Sequence, residues 1–227
     1  MSSERAIKRE YNVEIFKPES APTSVTVFLP GTMLKLEDYK STYDVLVEQN
    51  QVVIGFKSMN PFPIIGRSHD QMAEDCASVV KAFLELEENK NLPSKYNVVG
   101  HSLGGKVCLM VAAKFDIDNV KKVIALDPVD DKPQELTASR QSKRTDLNNS
   151  KAEEIHQFQS ETDSDGWFPL CPPGKNATAI KEMYPDKIDS LYINPGAGHM
   201  SYKDTETDDA SVKAREVVHS KIRDVIS

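Results

Sequence analysis

Short β-branched apolar runs alternate along the chain with stretches in which apolar residues recur at helical spacing. The runs at 25–29 (Val-Thr-Val-Phe-Leu) and 52–56 (Val-Val-Ile-Gly-Phe) alternate too little for half-exposed strands, so we expect central strands buried on both faces. This arrangement predicts the α/β class, in which a mostly parallel sheet is flanked by helices. The predicted strands cover residues 12–16, 24–29, 51–56, 96–99, 122–126, 155–159 and 190–193.

The clearest predicted helix begins after Ser68, where Ser-His-Asp-Gln has the form of a capping box and apolar residues follow at helical spacing. Further helices are predicted over residues 36–47, directly after Ser102, and over residues 210–226. The stretch 130–153 is rich in Ser, Asn, Lys and Gln. It predicts a short inserted loop or small lid between two strands.

Composition narrows the class of protein further. With 227 residues, 39% of them hydrophobic and 28% charged, we expect a single globular domain over residues 1–227. No apolar run approaches the ~18–20 residues of a membrane helix, and the first ten residues predict neither a secretory signal nor a transit peptide. A net charge of −7 argues against a nucleic-acid partner. Three cysteines without metal-binding spacing suit a reducing compartment.

One segment carries the strongest chemical signal. Gly100-His101-Ser102-Leu103-Gly104 is a G-x-S-x-G motif that follows a predicted strand and precedes a predicted helix. It resembles the nucleophile elbow of α/β-hydrolases, in which a serine projects from a sharp turn and flanking glycines provide clearance. We therefore predict Ser102 as a nucleophile. The alternative interpretation is a glycine turn that holds a buried serine.

A serine nucleophile also needs backbone donors for the developing oxyanion. Pro30-Gly31-Thr32-Met33 follows an earlier predicted strand, at the position where related hydrolases carry His-Gly-x. We predict that the N–H group of Thr32 or Met33 acts together with that of Leu103. The alternative is an ordinary Pro-Gly turn.

Five histidines compete for the role of general base. His199 alone lies between the last predicted strand and the last predicted helix, and the base comes last in chain order in this fold. His101 flanks the nucleophile, and its side chain is expected to point away from that of the serine. For the other three, structural roles are expected: His69 lies in the capping box, His156 in a strand and His219 on the terminal helix.

The carboxylate partner is left open by position alone. Asp127 ends the strand that follows the elbow helix, whereas Asp163 and Asp165 follow the next strand, where most hydrolases of this fold keep the acid.

Four blocks of sequence resemble the chlorophyllase family. Gly-His-Ser-Leu-Gly-Gly-Lys at 100–106 is similar to its Gly-His-Ser-Arg-Gly-Gly-Lys elbow, and Asp-Pro-Val-Asp at 127–130 to its Asp-Pro-Val segment. Cys-Pro-Pro-Gly at 171–174 and Gly-His-Met at 198–200 complete the set in the family's order. Leu103 stands where the family has arginine. The resemblance implies that Asp127 is the acid of the triad, whereas the usual position of the acid in this fold keeps Asp165 as the alternative.

The resemblance also implies a reaction, the hydrolysis of the phytyl ester of chlorophyll to chlorophyllide and phytol. A hydrophobic small-molecule ester is thus the expected partner, met in the plastid or cytoplasm and with possible peripheral contact to a pigment-bearing membrane. The mechanism calls for no metal and no organic cofactor. A general carboxylesterase or lipase and a non-catalytic binding protein are the rival predictions. The expected pocket residues are Phe62, Ile64, Trp167 and Phe168.

Overall fold

Seven strands make up a single sheet in the computed structural model, which describes residues 3–59, 67–130, 144–162 and 176–226. The observed strands match the predicted ones to within two residues at each end. They are β1 (Val13–Phe16), β2 (Ser24–Leu29), β3 (Gln51–Phe56), β4 (Tyr96–His101), β5 (Val120–Leu126), β6 (Glu154–Ser160) and β7 (Ser190–Asn194).

The spatial order of the strands is β1-β3-β2-β4-β5-β6-β7. β1 pairs with β3 in the antiparallel sense, and every other pairing is parallel. Every residue of β2 and β3 is buried, because helices cover both faces of the sheet at its centre. The prediction of a mostly parallel α/β sheet is confirmed.

Two apolar cores lie on opposite faces of the sheet. One contains Ile7, Cys76 and Val107, which come from the helices on that face, and the other contains Leu46 and Val218. The six helices in the described part of the chain are α1 (Glu4–Tyr11), α2 (Lys40–Glu48), α3 (His69–Leu84), α4 (Leu103–Met110), α5 (Asn176–Met183) and α6 (Asp209–Val225).

Three helical features differ from the prediction. The helix predicted over residues 36–47 is divided into a three-ten turn at Leu36–Tyr39 and then α2. α1 was not predicted; five of its eight residues are charged and only Ile7 is buried, so its apolar face is narrow. α5 was also not predicted.

The parallel strands place all their carboxyl ends along one edge of the sheet, which is where open α/β sheets bind ligands. The segments that carry Thr32, Ser102, Asp127 and His199 leave the sheet at this edge, after β2, β4, β5 and β7. Of the helices in the described part of the chain, none has both the length and the apolar character that a bilayer crossing demands.

Candidate active site

Ser102 occupies a strained turn between β4 and α4. Its φ of 57° and ψ of −118° lie outside the regions that ordinary side chains adopt, a conformation that costs on the order of 1–3 kcal/mol. Hydrogen bonds fix the backbone on both sides, since the Ser102 N–H donates to Leu126 O at 2.9 Å and its carbonyl accepts from Val129 N at 3.0 Å. The sheet thus holds this serine in a geometry that it would not adopt alone.

The two glycines of the elbow permit a close approach of backbone segments. A Cβ at Gly100 would lie 2.6 Å from the carbonyl of Gly104, and a Cβ at Gly104 would lie 2.1 Å from Leu29 O. Both distances are far inside van der Waals contact, so neither position accepts a side chain without movement of the main chain. The first turn of α4 is therefore packed directly against the end of β2.

The imidazole of His199 lies between Ser102 and Asp127. His199 Nε2 is 2.9 Å from Ser102 Oγ, and His199 Nδ1 is 2.6 Å from Asp127 Oδ2. A carboxylate only accepts hydrogen bonds, so Nδ1 carries the proton and Nε2 is left to accept from the serine hydroxyl. This is the tautomer that a general base for Ser102 requires.

Asp127 has a left-handed backbone, with φ of 42°, and is buried. Its Oδ1 accepts from Ser160 N at 3.0 Å while Oδ2 accepts from His199. Burial by itself raises the pKa of Asp127, but the hydrogen bonds from His199 and Ser160 outweigh it and leave the pKa below its usual value. Asp127 is therefore a carboxylate in contact with the imidazole, whereas Asp163 and Asp165 lie outside the described residues.

Ser160 connects the acid to the loop that carries His199. Its N–H binds Asp127, and its hydroxyl donates to Gly198 O at 2.8 Å. The sequence analysis did not single out Ser160, although its place at the end of β6 was a usable signal, because carboxyl ends of parallel strands meet at one edge.

Arg215 on α6 supports the same loop from the other side and was also not predicted. Its guanidinium donates to the carbonyls of Ser201 at 3.0 Å, Lys203 at 2.6 Å and Glu206 at 2.8 Å. Arg215 is buried despite its charge. These hydrogen bonds to three carbonyls between residues 201 and 206 fix the path of the chain directly after His199.

The three N–H groups predicted as oxyanion donors differ in whether they already form a hydrogen bond. A Cβ built at Gly31 would lie 3.2 Å from Ser102 Cβ, so the loop after β2 borders the nucleophile. The N–H of Met33 donates to Met59 O at 3.3 Å, which corrects its assignment as a free donor. No described residue accepts a hydrogen bond from the N–H of Thr32 or Leu103. These two groups remain the candidates for an oxyanion hole.

The side chain of Met33 is 59% exposed on this loop, and its φ of 61° is left-handed. Met33 is thus an exposed apolar residue two positions after Gly31, which borders the nucleophile. The four predicted pocket residues, Phe62, Ile64, Trp167 and Phe168, lie outside the described residues.

A buried ion pair lies one turn along α4 from the nucleophile. Lys106 Nζ is 3.2 Å from Asp130 Oδ1, and both side chains are at most 2% exposed. Asp130 also accepts hydrogen bonds from the backbone and hydroxyl of Thr145, and its own carbonyl accepts from Arg144. The start of the predicted lid at 130–153 is thus joined to residues 144–145 and to α4, while residues 131–143 lie outside the described part.

Of the remaining histidines, His156 and His219 have hydrogen-bond partners elsewhere, whereas the buried Nδ1 of His69 has none among the described residues. His156 contacts Ser190 Oγ and Glu154 Oε2, both at 2.7 Å, and His219 contacts Thr42 Oγ1 at 3.3 Å. His69 begins α3, and burial lowers its pKa to about 4. In the described ranges no three His, Cys, Asp or Glu side chains are grouped so that they could hold a metal ion.

Comparison with known proteins agrees with this architecture. The family model described as the alpha/beta hydrolase fold matches residues 62–171. Among solved structures, the chain is similar to a dienelactone hydrolase from Anabaena variabilis, with 16% identity, 94% of this chain and 91% of that chain covered, and a TM-score of 0.65. No curated protein matches the sequence.

Two esterases give similar values. Propionate-bound esterase Est2 from Thermogutta terrifontis is 14% identical, with 94% of this chain and 89% of that chain covered and a TM-score of 0.69. Est1E from Butyrivibrio proteoclasticus, with ferulic acid bound, is 15% identical, with 93% of this chain and 95% of that chain covered and a TM-score of 0.68. The sheet, the elbow and these likenesses together define the molecule as a protein of the α/β-hydrolase fold.

Proposed function

We propose that this protein is a serine hydrolase of carboxylic esters, with Ser102 as nucleophile, His199 as general base and Asp127 as its orienting acid. One observation carries the proposal. His199 is hydrogen-bonded through one ring nitrogen to Ser102 Oγ at 2.9 Å and through the other to Asp127 Oδ2 at 2.6 Å. Nucleophile, base and orienting carboxylate in contact in this order are the constellation of acyl transfer.

Acylation begins when Ser102 Oγ attacks the ester carbonyl carbon and its proton passes to His199 Nε2. The carbonyl oxygen becomes an oxyanion, which the N–H groups of Leu103 and Thr32 stabilise. His199 then protonates the leaving alcohol as the tetrahedral intermediate collapses to an acyl-enzyme. The carboxylate of Asp127 stabilises the imidazolium that exists between these two transfers.

Deacylation repeats the sequence with water. His199 Nε2 takes a proton from a water molecule as it attacks the acyl carbon, and then returns that proton to Ser102 Oγ. The carboxylic acid leaves and the serine is restored. Every proton in this cycle is held by Ser102, His199, water or the leaving group.

For the substrate we propose a hydrophobic ester, with the phytyl ester of chlorophyll as the first candidate. The four sequence blocks at 100–106, 127–130, 171–174 and 198–200 that resemble chlorophyllases support it. Leu103 in place of the family's arginine is a departure within the elbow itself. Small esters are the second candidate, which is favoured by the structural likeness to esterases solved with propionate and with ferulic acid.

A labelling experiment tests the reaction class. A fluorophosphonate should modify the wild-type protein and leave Ser102→Ala unmodified, and kcat should fall by about 10⁶-fold in that variant. Ser150→Ala removes a buried serine hydroxyl outside the site and is the matched control. Labelling of folded Ser102→Ala, or no labelling of wild type, would exclude the proposed nucleophile.

A substrate comparison separates the candidates. Hydrolysis of p-nitrophenyl butyrate and of chlorophyll a in detergent would be measured side by side, with Ser102→Ala as the blank. Turnover of chlorophyll at a higher kcat/KM supports the first candidate, and turnover of the short ester alone supports the second. A labelled protein that turns over neither would be a hydrolase of another ester, and an unlabelled one a binding protein.

A further inference from the structure

A chain of three hydrogen bonds, two of them buried and the third part-buried, connects the oxyanion loop with the loop of the catalytic histidine. The Gly31 N–H lies 3.2 Å from Tyr39 Oη, which lies 2.6 Å from His101 Nδ1. His101 Nε2 in turn lies 2.8 Å from the backbone carbonyl of His199. Both Tyr39 and His101 are completely buried.

The direction of every bond in this chain follows from chemistry. The His199 carbonyl only accepts, so His101 Nε2 carries a proton. Burial lowers the pKa of His101 to about 3, so the ring holds no second proton near neutrality and Nδ1 accepts. Burial also raises the pKa of Tyr39, so its hydroxyl keeps the proton that it donates to Nδ1. The tyrosine oxygen then accepts from Gly31.

The chain spans three strand ends that are distant in sequence. Gly31 follows β2, His101 is the last residue of β4, and His199 follows β7. Aromatic contacts accompany the hydrogen bonds, since the His101 ring lies 5.6 Å from that of Tyr39 and 4.7 Å from that of His199, measured between centroids. β2 and β4 are neighbours in the sheet, whereas β5 and β6 separate β4 from β7, so the bond from His101 to His199 joins backbone segments that no direct strand pairing connects.

We propose that Tyr39 and His101 are positioning residues, which hold the oxyanion loop and the main chain of His199 in fixed register with the nucleophile. The proposal rests on the proposed hydrolase activity. Asp127 orients the imidazole through Nδ1, and His101 fixes the backbone from which that imidazole projects. His199 is thus held at two points, and Thr32, which follows Gly31, is held through its neighbour.

Catalysis makes such fixation valuable because a misplacement of about 1 Å at a reacting group costs on the order of 10²-fold in rate. Loss of the Tyr39 hydroxyl removes the acceptor of Gly31 N–H and the donor to His101 Nδ1. His101 is then free to move its proton to Nδ1, which would set the lone pair of Nε2 against the His199 carbonyl. The oxyanion loop and the base would both lose their restraint.

The first test compares two tyrosines. Tyr39→Phe removes the hydroxyl of the chain, whereas Tyr96→Phe removes an equally buried hydroxyl that binds Asp116 at 3.0 Å near the opposite edge of the sheet. We expect kcat on a p-nitrophenyl ester to fall about 10- to 100-fold in Tyr39→Phe with KM changed less than about threefold. Tyr96→Phe should keep kcat within about threefold of wild type at a similar loss in Tm.

Two substitutions of His101 divide the chain into its halves. His101→Gln places an amide N–H near the position of Nε2 and can still donate to the His199 carbonyl. His101→Asn places an amide oxygen near the position of Nδ1 and can still accept from Tyr39. If the link to His199 matters most, the glutamine variant keeps more of the wild-type kcat than the asparagine variant.

A spectroscopic measurement tests the chain without reference to activity. The ¹⁵N shifts of His101 in the Ser102→Ala protein should show a protonated Nε2 and a bare Nδ1 that do not titrate between pH 5 and 8, and Tyr39→Phe should alter them. Equal kcat losses in the two Phe variants, or a protonated Nδ1 in wild type, would overturn the proposal. If no variant or wild type hydrolyses any ester while the ¹⁵N pattern is found, the hydrolase proposal fails and the hydrogen-bond chain stands as a purely structural element.

Discussion

Asp127→Asn examines the candidate triad with the least change of shape, because it alters only charge and hydrogen-bonding capacity. Asp127 accepts from two donors, His199 Nδ1–H at 2.6 Å and Ser160 N–H at 3.0 Å. An asparagine has a single side-chain oxygen and brings an NH₂ group of its own. It can therefore satisfy only one of the two donors, and the neighbouring backbone decides which.

The Ser160 N–H is fixed at the end of β6, so it favours the orientation in which the amide oxygen faces it. The NH₂ group then faces His199 Nδ1, which must become the acceptor and move its proton to Nε2. An imidazole protonated at Nε2 cannot take the proton of Ser102. Turning the amide over restores the base but leaves the buried Ser160 donor unpaired, which costs about 1–3 kcal/mol, or about 5- to 150-fold.

A second loss adds to the first in either orientation. The imidazolium that forms during attack by Ser102 would face a neutral amide in place of the carboxylate of Asp127. In serine proteases the corresponding change lowers kcat by about 10⁴-fold, equivalent to about 5.5 kcal/mol. We expect a loss of about 10³- to 10⁴-fold here.

The assay is kcat on a p-nitrophenyl ester, with Tm measured on the same samples. Asp116→Asn is the control, since Asp116 accepts hydrogen bonds from Tyr96 and Asn119 away from the site. An Asp127→Asn protein of normal Tm with kcat within tenfold of wild type would refute the assignment. A large loss in Asp165→Asn instead would transfer the role to that residue.

Three further predictions concern neighbouring features. Thr32→Pro deletes one oxyanion donor and should lower kcat by about 10²- to 10³-fold with KM little changed. Thr32→Ala keeps the N–H and should lower kcat by less than about tenfold; equal losses of kcat in the two variants would contradict the role of this N–H. Burial lowers the pKa of His69 to about 4, so between about pH 6.5 and pH 4 this histidine binds a proton only in the unfolded protein, which makes the folded state less stable as the pH falls. Urea melts should therefore show that the free energy of unfolding falls about 2 kcal/mol less between pH 7 and pH 5 in His69→Gln than in wild type, since the limiting slope is about 1.4 kcal/mol per pH unit. Lys106→Met strands the buried charge of Asp130 and should cost about 3–5 kcal/mol of unfolding free energy. Lys106→Met/Asp130→Asn removes that charge but keeps an oxygen that can accept from Thr145, so it should recover most of the loss; a double variant as unstable as the single one would show that the cost is not electrostatic.

Much of the sheet could be predicted because buried parallel strands leave an unambiguous pattern. The runs at 24–29 and 51–56 carry apolar residues at both odd and even positions, which predicts burial of both faces of the strand. The structure buries every residue of β2 and β3. The capping box at Ser68 was also predicted from the sequence, and Ser68 and Gln71 form both of its hydrogen bonds. Local signals of this kind need no knowledge of distant contacts.

Features that depend on long-range geometry could not be predicted in the same way. No local pattern tells that the Met33 N–H is already bonded to Met59, or that Arg215 would bind the backbone after His199. The choice among Asp127, Asp163 and Asp165 came from a family resemblance, because sequence position does not give the distance to an imidazole 72 residues further on.

The order of the strands has a consequence for how this protein acquires activity as it folds. Ser102 and His199 are 97 residues apart, and His199 follows β7, which among the described strands lies at the edge of the sheet and pairs with β6 alone. Pairings across such sequence separations form slowly because loop-closure entropy must be overcome first. During refolding, burial of the central strands should therefore precede any esterase activity. The delay between strand burial and the appearance of activity would measure how long β7 takes to pair with β6.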